Sequence, residues 1–505
     1  MTAARIDLVH ELVSTAAAEV PERPAIVDSD GTTTTFAVFD RLVESVATWV
    51  RERTHRGDRI AVVADNGPFY ALLYYAVPCA GRVLAMVNQR LSAGERGAQL
   101  AAARPTIVLG DGRYLDGLAP LGEDTPSVTE VVAFEDPRWH RALMQPTTPA
   151  EPVLPNDPAW LLFTSGSTGP PKGVLHTHRS LTTAARGTVE GRSVRPGGVY
   201  LLPFPMCHVA GYNMLAHHLA RATVMPVAAF RAEDFAAAVR NHGVTSCSLA
   251  PTMLHALLAH LENTGTDLPT LRDVSYGSAA IPADLLRRAM ARLDVNFHQG
   301  YGMTETGGNV TFLGPADHRD GAGTNPAVLA TAGRPHGEVE VRIAGDGPIG
   351  EILVRGDQVA AGYWPGPEPV AVDGWLRTGD VGRLDPEGRL VVLDRIKDVV
   401  ITGGENVSSR EVEDVLSGHP DVDQVAVVGV ADDYWGEAIC AVVVPRPGST
   451  PTAEDLVAHV RAHLTAFKRP RHVLFVDSLP STPNGKVAKN DVRAHARRVV
   501  GGEVR

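Results

Sequence analysis

The sequence predicts an α/β protein with a large N-terminal domain of layered α/β subdomains, extended by a β-rich subdomain, and a small α+β C-terminal domain. Three observations predict it. Short apolar runs alternate with helical stretches through most of the chain, the texture turns to short alternating strands from about Gly337, and helix and strand signals mix after Asp394 over a stretch of ordinary domain size.

Taken in order, the opening twenty residues, MTAARIDLVHELVSTAAAEV, read as an amphipathic surface helix of mixed charge. They lack the basic start, apolar core and small-residue cleavage site of a secretion signal, so a cytoplasmic location is expected. RIAVVA (Arg59 to Ala64), TIVLG (Thr106 to Gly110) and VTEVVAF (Val128 to Phe134) are buried-strand candidates, separated by helical stretches such as ERGAQLAAA (Glu95 to Ala103). VEVRIAG, GEILVRG and GRLVVLDR, punctuated by Gly, Asp and Pro, form the β-rich part. After it come helix (SSREVEDVLSGH), strand (DQVAVVGV), strand (AICAVVVP), helix (AEDLVAHVRAHL) and strand (RHVLFV). The domains are therefore drawn as 1–394 and 395–505, with no Ser/Gly linker between them, so any hinge is short.

At 505 residues and 44% hydrophobic content the chain can bury at least two cores. A net charge of -11 with no long basic block argues against nucleic acid as a partner. The most apolar stretches, such as Tyr70 to Cys79, are too short to span a bilayer. Cys79, Cys207, Cys247 and Cys440 lack zinc or C-x-x-C spacing and fit reduced core thiols. Nothing in the composition fixes the oligomeric state, and a homodimer stays open.

The most informative segment is WLLFTSGSTGPPKGVLHTH, Trp160 to His178, an apolar strand running into a loop of small hydroxyl-bearing residues and then a lysine. Gly166 and Gly169 open backbone angles closed to other residues, inward N–H groups join the hydroxyls of Thr164, Ser165, Ser167 and Thr168, and such a loop cradles phosphate. Lys172 follows two prolines, so this is not the G-x-x-x-x-G-K-[ST] pattern.

TSGSTGPPKG resembles the phosphate loop of the adenylate-forming superfamily, which comprises acyl-CoA synthetases, firefly-type luciferases and peptide-synthetase adenylation domains. Four further segments agree, in order. HQGYGMTETGG (His298 to Gly308) is similar to the adenine and magnesium motif, with Gly300, Tyr301 and Gly302 against the nucleotide, Thr304 on phosphate and Glu305 holding Mg²⁺, a hard cation that wants carboxylate and phosphate oxygens together. GWLRTGD places Asp380 on the ribose hydroxyls, a task for an acceptor-only side chain. DRIKDVVITGGENVSSREVE resembles the hinge and following loop: Asp394 as pivot, Arg395 reaching the ribose, and Gly403, Gly404 and Glu405 as a turn approached by the pantetheine arm of coenzyme A. STPNGKVAKNDVR carries Lys486, the lysine that enters the site for adenylation, with Lys489 as its nearby competitor.

PFPMCHVAGY aligns His208 with an aromatic gate at the acyl site, and YGSAAIP (Tyr276 to Pro282) places Ser278 and Ala279 beside the nucleotide. The resemblance implies an acyl pocket of His208, Gly211, Tyr212, Ala250, Tyr276, Gly277, Met303 and Gly308, whose many small residues suggest a bulky apolar acid. It implies ATP, Mg²⁺ and coenzyme A as reactants and cofactor, a C-terminal domain that rotates between two half-reactions, and Lys486, Thr304, Glu305 and His208 as the catalytic set. Three departures stand out: Ser409 where the family has proline, a shortened Gly362 to Trp375 segment, and Cys207 in place of an aromatic. Other readings are an enzyme delivering acyl groups to a carrier protein, a luciferase-like oxygenase, a chain competent mainly in one half-reaction, and a non-catalytic sensor of nucleotide or acyl-adenylate. The sensor reading predicts loss of catalytic groups, whereas Lys486, Glu305 and Asp380 are retained.

Overall fold

The computed structural model describes residues 5–118, 125–149, 152–164, 171–277, 281, 283–366, 368–481 and 487–501. It is a mixed α/β architecture. A nine-stranded sheet runs, edge to edge, Arg334–Pro335, Gly308–Leu313, Asn296–Met303, Asp273–Gly277, Ser246–Leu249, Val199–Leu202, Thr223–Pro226, Pro24–Val27 and Thr33–Thr35. Its central strands are parallel, and Gly308–Leu313 turns back antiparallel on Asn296–Met303. Parallel strands are buried on both faces, and alternate residues divide accordingly. Leu201, Cys247, Leu249, Val274, Tyr276 and Phe297 belong to one core, whereas Tyr200 and Leu202 belong to another that they share with Tyr212, Met214 and Leu215.

A second, seven-stranded sheet has the order Gly362–Trp364, Gly173–Thr177, Pro158–Phe163, Val83–Met86, Arg59–Val63, Ile107–Gly110 and Glu130–Ala133. The expected strands at Arg59, Thr106 and Val128 are all here. Gly362–Trp364 is the surprise: it leaves the β-rich region and pairs Tyr363 against Val174. The shortened segment noted in the sequence thus begins as a long-range sheet edge, which no local pattern announces.

The helix His178–Arg192 links the two sheets. Thr177 and Ser180 form its capping box, and Ser193 ends it in the left-handed conformation. It lies close on the nine-stranded sheet, because a Cβ at Gly191 would fall 2.1 Å from the Phe312 ring.

The β-rich part comprises Glu340–Ile343, Gly350–Arg355, Trp375–Leu384 and Ala371–Val372, with Leu390–Arg395 on Trp375–Leu384. Beyond it, Val422–Asp432 and Gly436–Pro445 form a long antiparallel pair with a core on each face. The helices Ser409–Ser417 and Ala453–His463 cover one face, through Val412, Leu416, Leu456 and Val460. The other is covered by Lys489–Val500 through Val492 and Ala496, a helix the sequence pattern did not announce because its run of basic residues masks a narrow apolar stripe. The four cysteines are free. Among the described residues no helix is long and apolar enough to cross a membrane.

Candidate active site

The strands Pro158–Phe163 and Gly173–Thr177 form an antiparallel pair whose connection is the expected phosphate loop, with Phe163 opposite Gly173. Thr164 N–H donates to the Lys172 carbonyl at 3.2 Å and closes the loop's base. Ser165, Gly166, Ser167, Thr168 and Gly169 lie outside the described residues. Lys172 is exposed, 4.0 Å from Glu368 and 5.9 Å from the Tyr363 ring centroid. A surface pair of this kind holds a lysine only weakly, leaving it available to an anion at the loop.

Thr304, Glu305 and Thr306 form one tight turn after the strand Asn296–Met303. Gly302 is obligatory before it, since a Cβ there would fall 2.1 Å from the Gly308 carbonyl, and Gly307 at φ +61° lets the chain reverse. The turn is held from three sides: Thr306 Oγ1 donates to Gly308 O at 2.7 Å, His176 Nε2 lies 2.8 Å from Thr304 O, and Ala360 N–H donates to Glu305 O at 2.9 Å. Burial pushes His176 down to about 4, so near neutral pH it is an uncharged donor to that carbonyl.

The Glu305 side chain is half-buried, and that burial raises its pKa. The Tyr363 hydroxyl donates to it at 3.3 Å, and burial drives that phenol up to about 12. Glu305 has no direct basic partner among the described residues, and no group of three or more His, Cys, Asp or Glu there could cage a metal. One half-buried carboxylate beside the Tyr363 hydroxyl suits Mg²⁺, which keeps its waters and takes most of its oxygens from substrate phosphates. The residues present fit that ion.

Asp380 is buried on Trp375–Leu384. It accepts from the Tyr301 hydroxyl at 2.7 Å and from Arg395 Nε at 2.7 Å. Three residues expected at the nucleotide thus meet at one carboxylate. Burial and the adjacent carboxylate hold the Tyr301 phenol protonated. One residue before Arg395, Asp394 caps the helix Ser409–Ser417: its Oδ2 accepts from Ser409 N–H at 2.6 Å and from Ser409 Oγ at 2.8 Å. A proline at 409 could offer neither donor, so the departure at this position adds a bond at the expected pivot. Ser409 Oγ also accepts from Lys489, which pairs with Glu413 at 2.9 Å. Lys489 is therefore committed elsewhere, and Lys486 lies outside the described residues. Gly403 and Gly404, at φ +60° and +82°, form an exposed turn with Glu405.

On the acyl side, Asn66 holds the loop before His208. Its side chain donates to Phe204 O and accepts from Met206 N–H, both at 2.7 Å, while the Tyr74 hydroxyl donates to Met206 O. His208 is part-exposed, with Nε2 3.5 Å from Asn88 Nδ2. Cys207 is buried and its thiol pushed up to about 12, so it is inert packing. Ala250, Gly277 and Met303 retain partial exposure, and Ser278 and Ala279 lie outside the described residues.

Two expectations for this pocket need correction. Tyr276 points to the opposite face of the sheet from Gly277 and bonds His318 Nε2 at 2.9 Å, so its side chain does not line the acyl side. Nor do the small residues measure room. A Cβ at Gly211 would lie 2.0 Å from the Tyr74 hydroxyl, and one at Gly308 would lie 2.4 Å from the Tyr212 ring. Tyr212 is itself 2% exposed, tied to Thr188 at 2.9 Å and to Asn309 N–H at 3.2 Å. These glycines admit the protein's own tyrosines. Gly211→Ala is accordingly expected to cost about 1–3 kcal/mol by overpacking and to weaken acid binding by displacing the Met206 to His208 loop; thermal unfolding and the KM for acid check both.

Sequence reasoning passed over Tyr363, His176 and Asn66. His176 stood inside the phosphate-loop segment, and as a histidine in an otherwise apolar strand it was the one available signal.

Residues 13–364 match the family model described as AMP-binding enzyme, and residues 411–486 match that of the AMP-binding enzyme C-terminal domain. A feruloyl-CoA synthase from Amycolatopsis sp is 36% identical over 480 residues, covering 92% of this chain and 94% of that protein. A fatty acid–[acyl-carrier-protein] ligase, ScoC, from Streptomyces coeruleorubidus is 32% identical, covering 94% and 93%. The solved amide bond synthetase McbA from Marinactinospora thermotolerans superposes with a TM-score of 0.87 at 31% identity, over 96% of this chain and 99% of that one. The chain belongs to the AMP-binding enzyme family, the adenylate-forming superfamily of the AMP-forming acyl-CoA synthetases.

Proposed function

We propose that this enzyme converts a hydrophobic carboxylic acid to its coenzyme A thioester through an acyl-adenylate, ATP yielding AMP and pyrophosphate. The observation that carries the reading is the joining of four of the motifs by side-chain contact. Tyr363 lies between Lys172 of the phosphate loop and the half-buried Glu305, and Tyr301, four residues before Glu305, bonds Asp380, which pairs with Arg395.

In the first step an oxygen of the acid's carboxylate attacks the α-phosphorus of ATP and the bond to pyrophosphate breaks. Two anions must meet, so the site's work is to supply positive potential and hold geometry. Lys172, Lys486 and the loop's N–H groups supply the potential, Thr304 binds phosphate, and Asp380 with Arg395 fixes the ribose. Glu305 would hold Mg²⁺, which when bound neutralises phosphate charge. In the second step the thiol sulfur attacks the acyl carbonyl and AMP leaves. The C-terminal domain, taken as 395–505, turns about Asp394, withdrawing Lys486 and bringing in the Gly403 to Glu405 turn. His208 gates the acyl side.

Lys486→Ala tests this division of labour. Adenylation from free acid and ATP, read as pyrophosphate release, is expected to fall by about 10²-fold or more, while thioester formation from a pre-made adenylate stays within about threefold of the parent, since the lysine has then withdrawn. Equal losses in both steps contradict the exchange of covers.

A second thiol, the phosphopantetheine of a carrier protein, is favoured by one observation, the similarity to ScoC. Mass spectrometry of thioester formed on coenzyme A or on a carrier protein separates the two. Four free cysteines and a net charge of -11 support a cytosolic enzyme without a nucleic-acid partner.

A further inference from the structure

The two halves of the site that meet ATP phosphates come from different sheets. Lys172 stands at the start of Gly173–Thr177 in the seven-stranded sheet, whereas Thr304 and Glu305 sit in the turn between Asn296–Met303 and Gly308–Leu313 of the nine-stranded sheet. Both halves must act on one triphosphate, and a misplacement of about 1 Å costs roughly 10²-fold in rate, so the distance between them has to be set. Side chains alternate along a strand, which puts Val174 and His176 on one face. Tyr363 is paired with Val174 and shares that face, and Lys172 Nζ lies 5.9 Å from its ring centroid. The turn is docked there: Tyr363 OH donates to the Glu305 carboxylate at 3.3 Å, and His176 Nε2 lies 2.8 Å from Thr304 O.

His176 is buried, and its surroundings fix which nitrogen carries the proton. A carbonyl only accepts, so Nε2 is the donor to Thr304 O. Nδ1 stands 3.2 Å from Ser180 Oγ, which accepts from Thr177 N–H at 3.1 Å and so offers its own proton to Nδ1 or to Thr177 O at 3.1 Å. The ring also fills the space under the chain reversal, since a Cβ at Gly307 would fall 3.1 Å from His176 Cε1. Thr304 O accepts a second bond, from Gly307 N–H at 3.0 Å, but that one is internal to the turn and moves with it. The peptide between Thr304 and Glu305 is planar, so a bond to its oxygen orients the Cα atoms of both residues at once. Glu305 O is held by Ala360 N–H at 2.9 Å, a backbone tie that side-chain substitution leaves in place. Among the described residues, His176 is the side chain that holds the Thr304 carbonyl.

We propose that His176 is a positioning residue for adenylation: it sets the Thr304–Glu305 peptide against the strand that follows Lys172, so that the Thr304 hydroxyl and the Glu305 carboxylate meet the triphosphate held at the loop. The proposal rests on the ligase reading and adds to it the link between the two phosphate-binding halves. Both ring nitrogens are engaged by the protein, so His176 acts through Thr304 and Glu305 and not on the substrate.

The test uses the full chain and two kinds of readout. Titration calorimetry of ATP with and without Mg²⁺, in the absence of acid, gives the gain in ATP affinity that the ion confers. Pyrophosphate release from free acid and thioester formation from a pre-made adenylate give the two half-reactions. His176→Leu removes the donor at similar size, and His176→Asn keeps a polar contact for Ser180 with an amide too short for Thr304 O. Both are expected to lower kcat for pyrophosphate release by about 10–10²-fold and to shrink the Mg²⁺ gain several-fold. Thioester formation, which has no triphosphate to bridge, should stay within about threefold of the parent. His176→Gln, whose amide reaches as far as Nε2, should recover most of the loss. If neither His176→Leu nor His176→Asn folds, Ser180→Ala leaves the ring in place but frees its tautomer, and it should shrink the same Mg²⁺ gain. A residue serving the fold alone would lower both half-reactions together with Tm and leave the Mg²⁺ gain unchanged. That pattern, a parent-like Mg²⁺ gain in the folded variants, or a loss in His176→Gln equal to that in His176→Leu overturns the inference and leaves the ligase reading intact. Absence of pyrophosphate release from the parent with any acid removes both.

Discussion

Asp380→Ala is expected to lower kcat/KM for ATP by about 10²–10⁴-fold. Asp380 is buried and accepts from both Tyr301 and Arg395, so it is already oriented and desolvated before a ribose arrives. Two bonds to an ionised acceptor contribute about 1.5–3 kcal/mol each, and each 1.36 kcal/mol is tenfold in rate. The loss should fall on ATP and not on the acid, because Asp380 lies with the adenine-side residues. Asp380→Asn keeps one acceptor oxygen and should fall between the parent and alanine. Steady-state rates with ATP varied at saturating acid measure it, and a loss under threefold contradicts the ribose assignment.

Glu305→Gln separates stability from catalysis. Adenylation is expected to fall by about 10²–10³-fold, the range seen on removing one preorganised electrostatic group. The ligand-free protein, by contrast, should unfold at a higher temperature. The sign follows from the raised pKa: an acid whose folded-state value lies above its unfolded value contributes stability that declines as pH rises through the folded value, since above it the charged form is paid for in desolvation. Glutamine removes that charge and can still accept from Tyr363. The gain should shrink at low pH, where Glu305 is protonated in both states. Scanning calorimetry at pH 4 and pH 8 reads this directly, and a Tm that drops at pH 8 contradicts a carboxylate held ready for a cation.

Much of this arrangement is legible in the sequence. The strand into TSGSTGPPKG, the TET turn and the TGD strand are local patterns, and the contacts among Tyr301, Asp380 and Arg395 follow once their strands pair. What escaped is long-range or depends on which face a side chain takes. Tyr363 reaches Glu305 only because Gly362–Trp364 crosses back to the seven-stranded sheet. Tyr276 and Gly277 are adjacent, so in a strand they must face opposite ways; reading both as one lining ignored that parity. The glycines at 211 and 308 signalled close approach correctly, but the approaching groups are Tyr74 and Tyr212. Arg192, at the end of a helix, reads as a basic residue favoured there by the helix dipole, and only the fold reveals that its guanidinium is buried beside Ser248. Ser409 looked like a lost proline, and its two bonds to Asp394 became visible only with the helix in place.

The central claim is that one chain makes an acyl-adenylate and passes the acyl group to a thiol. It is tested most directly by incubating the purified protein with ATP, Mg²⁺ and a panel of acids, following pyrophosphate release and, with coenzyme A added, acyl-CoA by mass spectrometry, with pre-made adenylates in parallel. The account predicts pyrophosphate from free acid without coenzyme A and thioester only when the thiol is present. Thioester from pre-made adenylates alone would confine the chemistry to the second step, and no product from either would contradict the account.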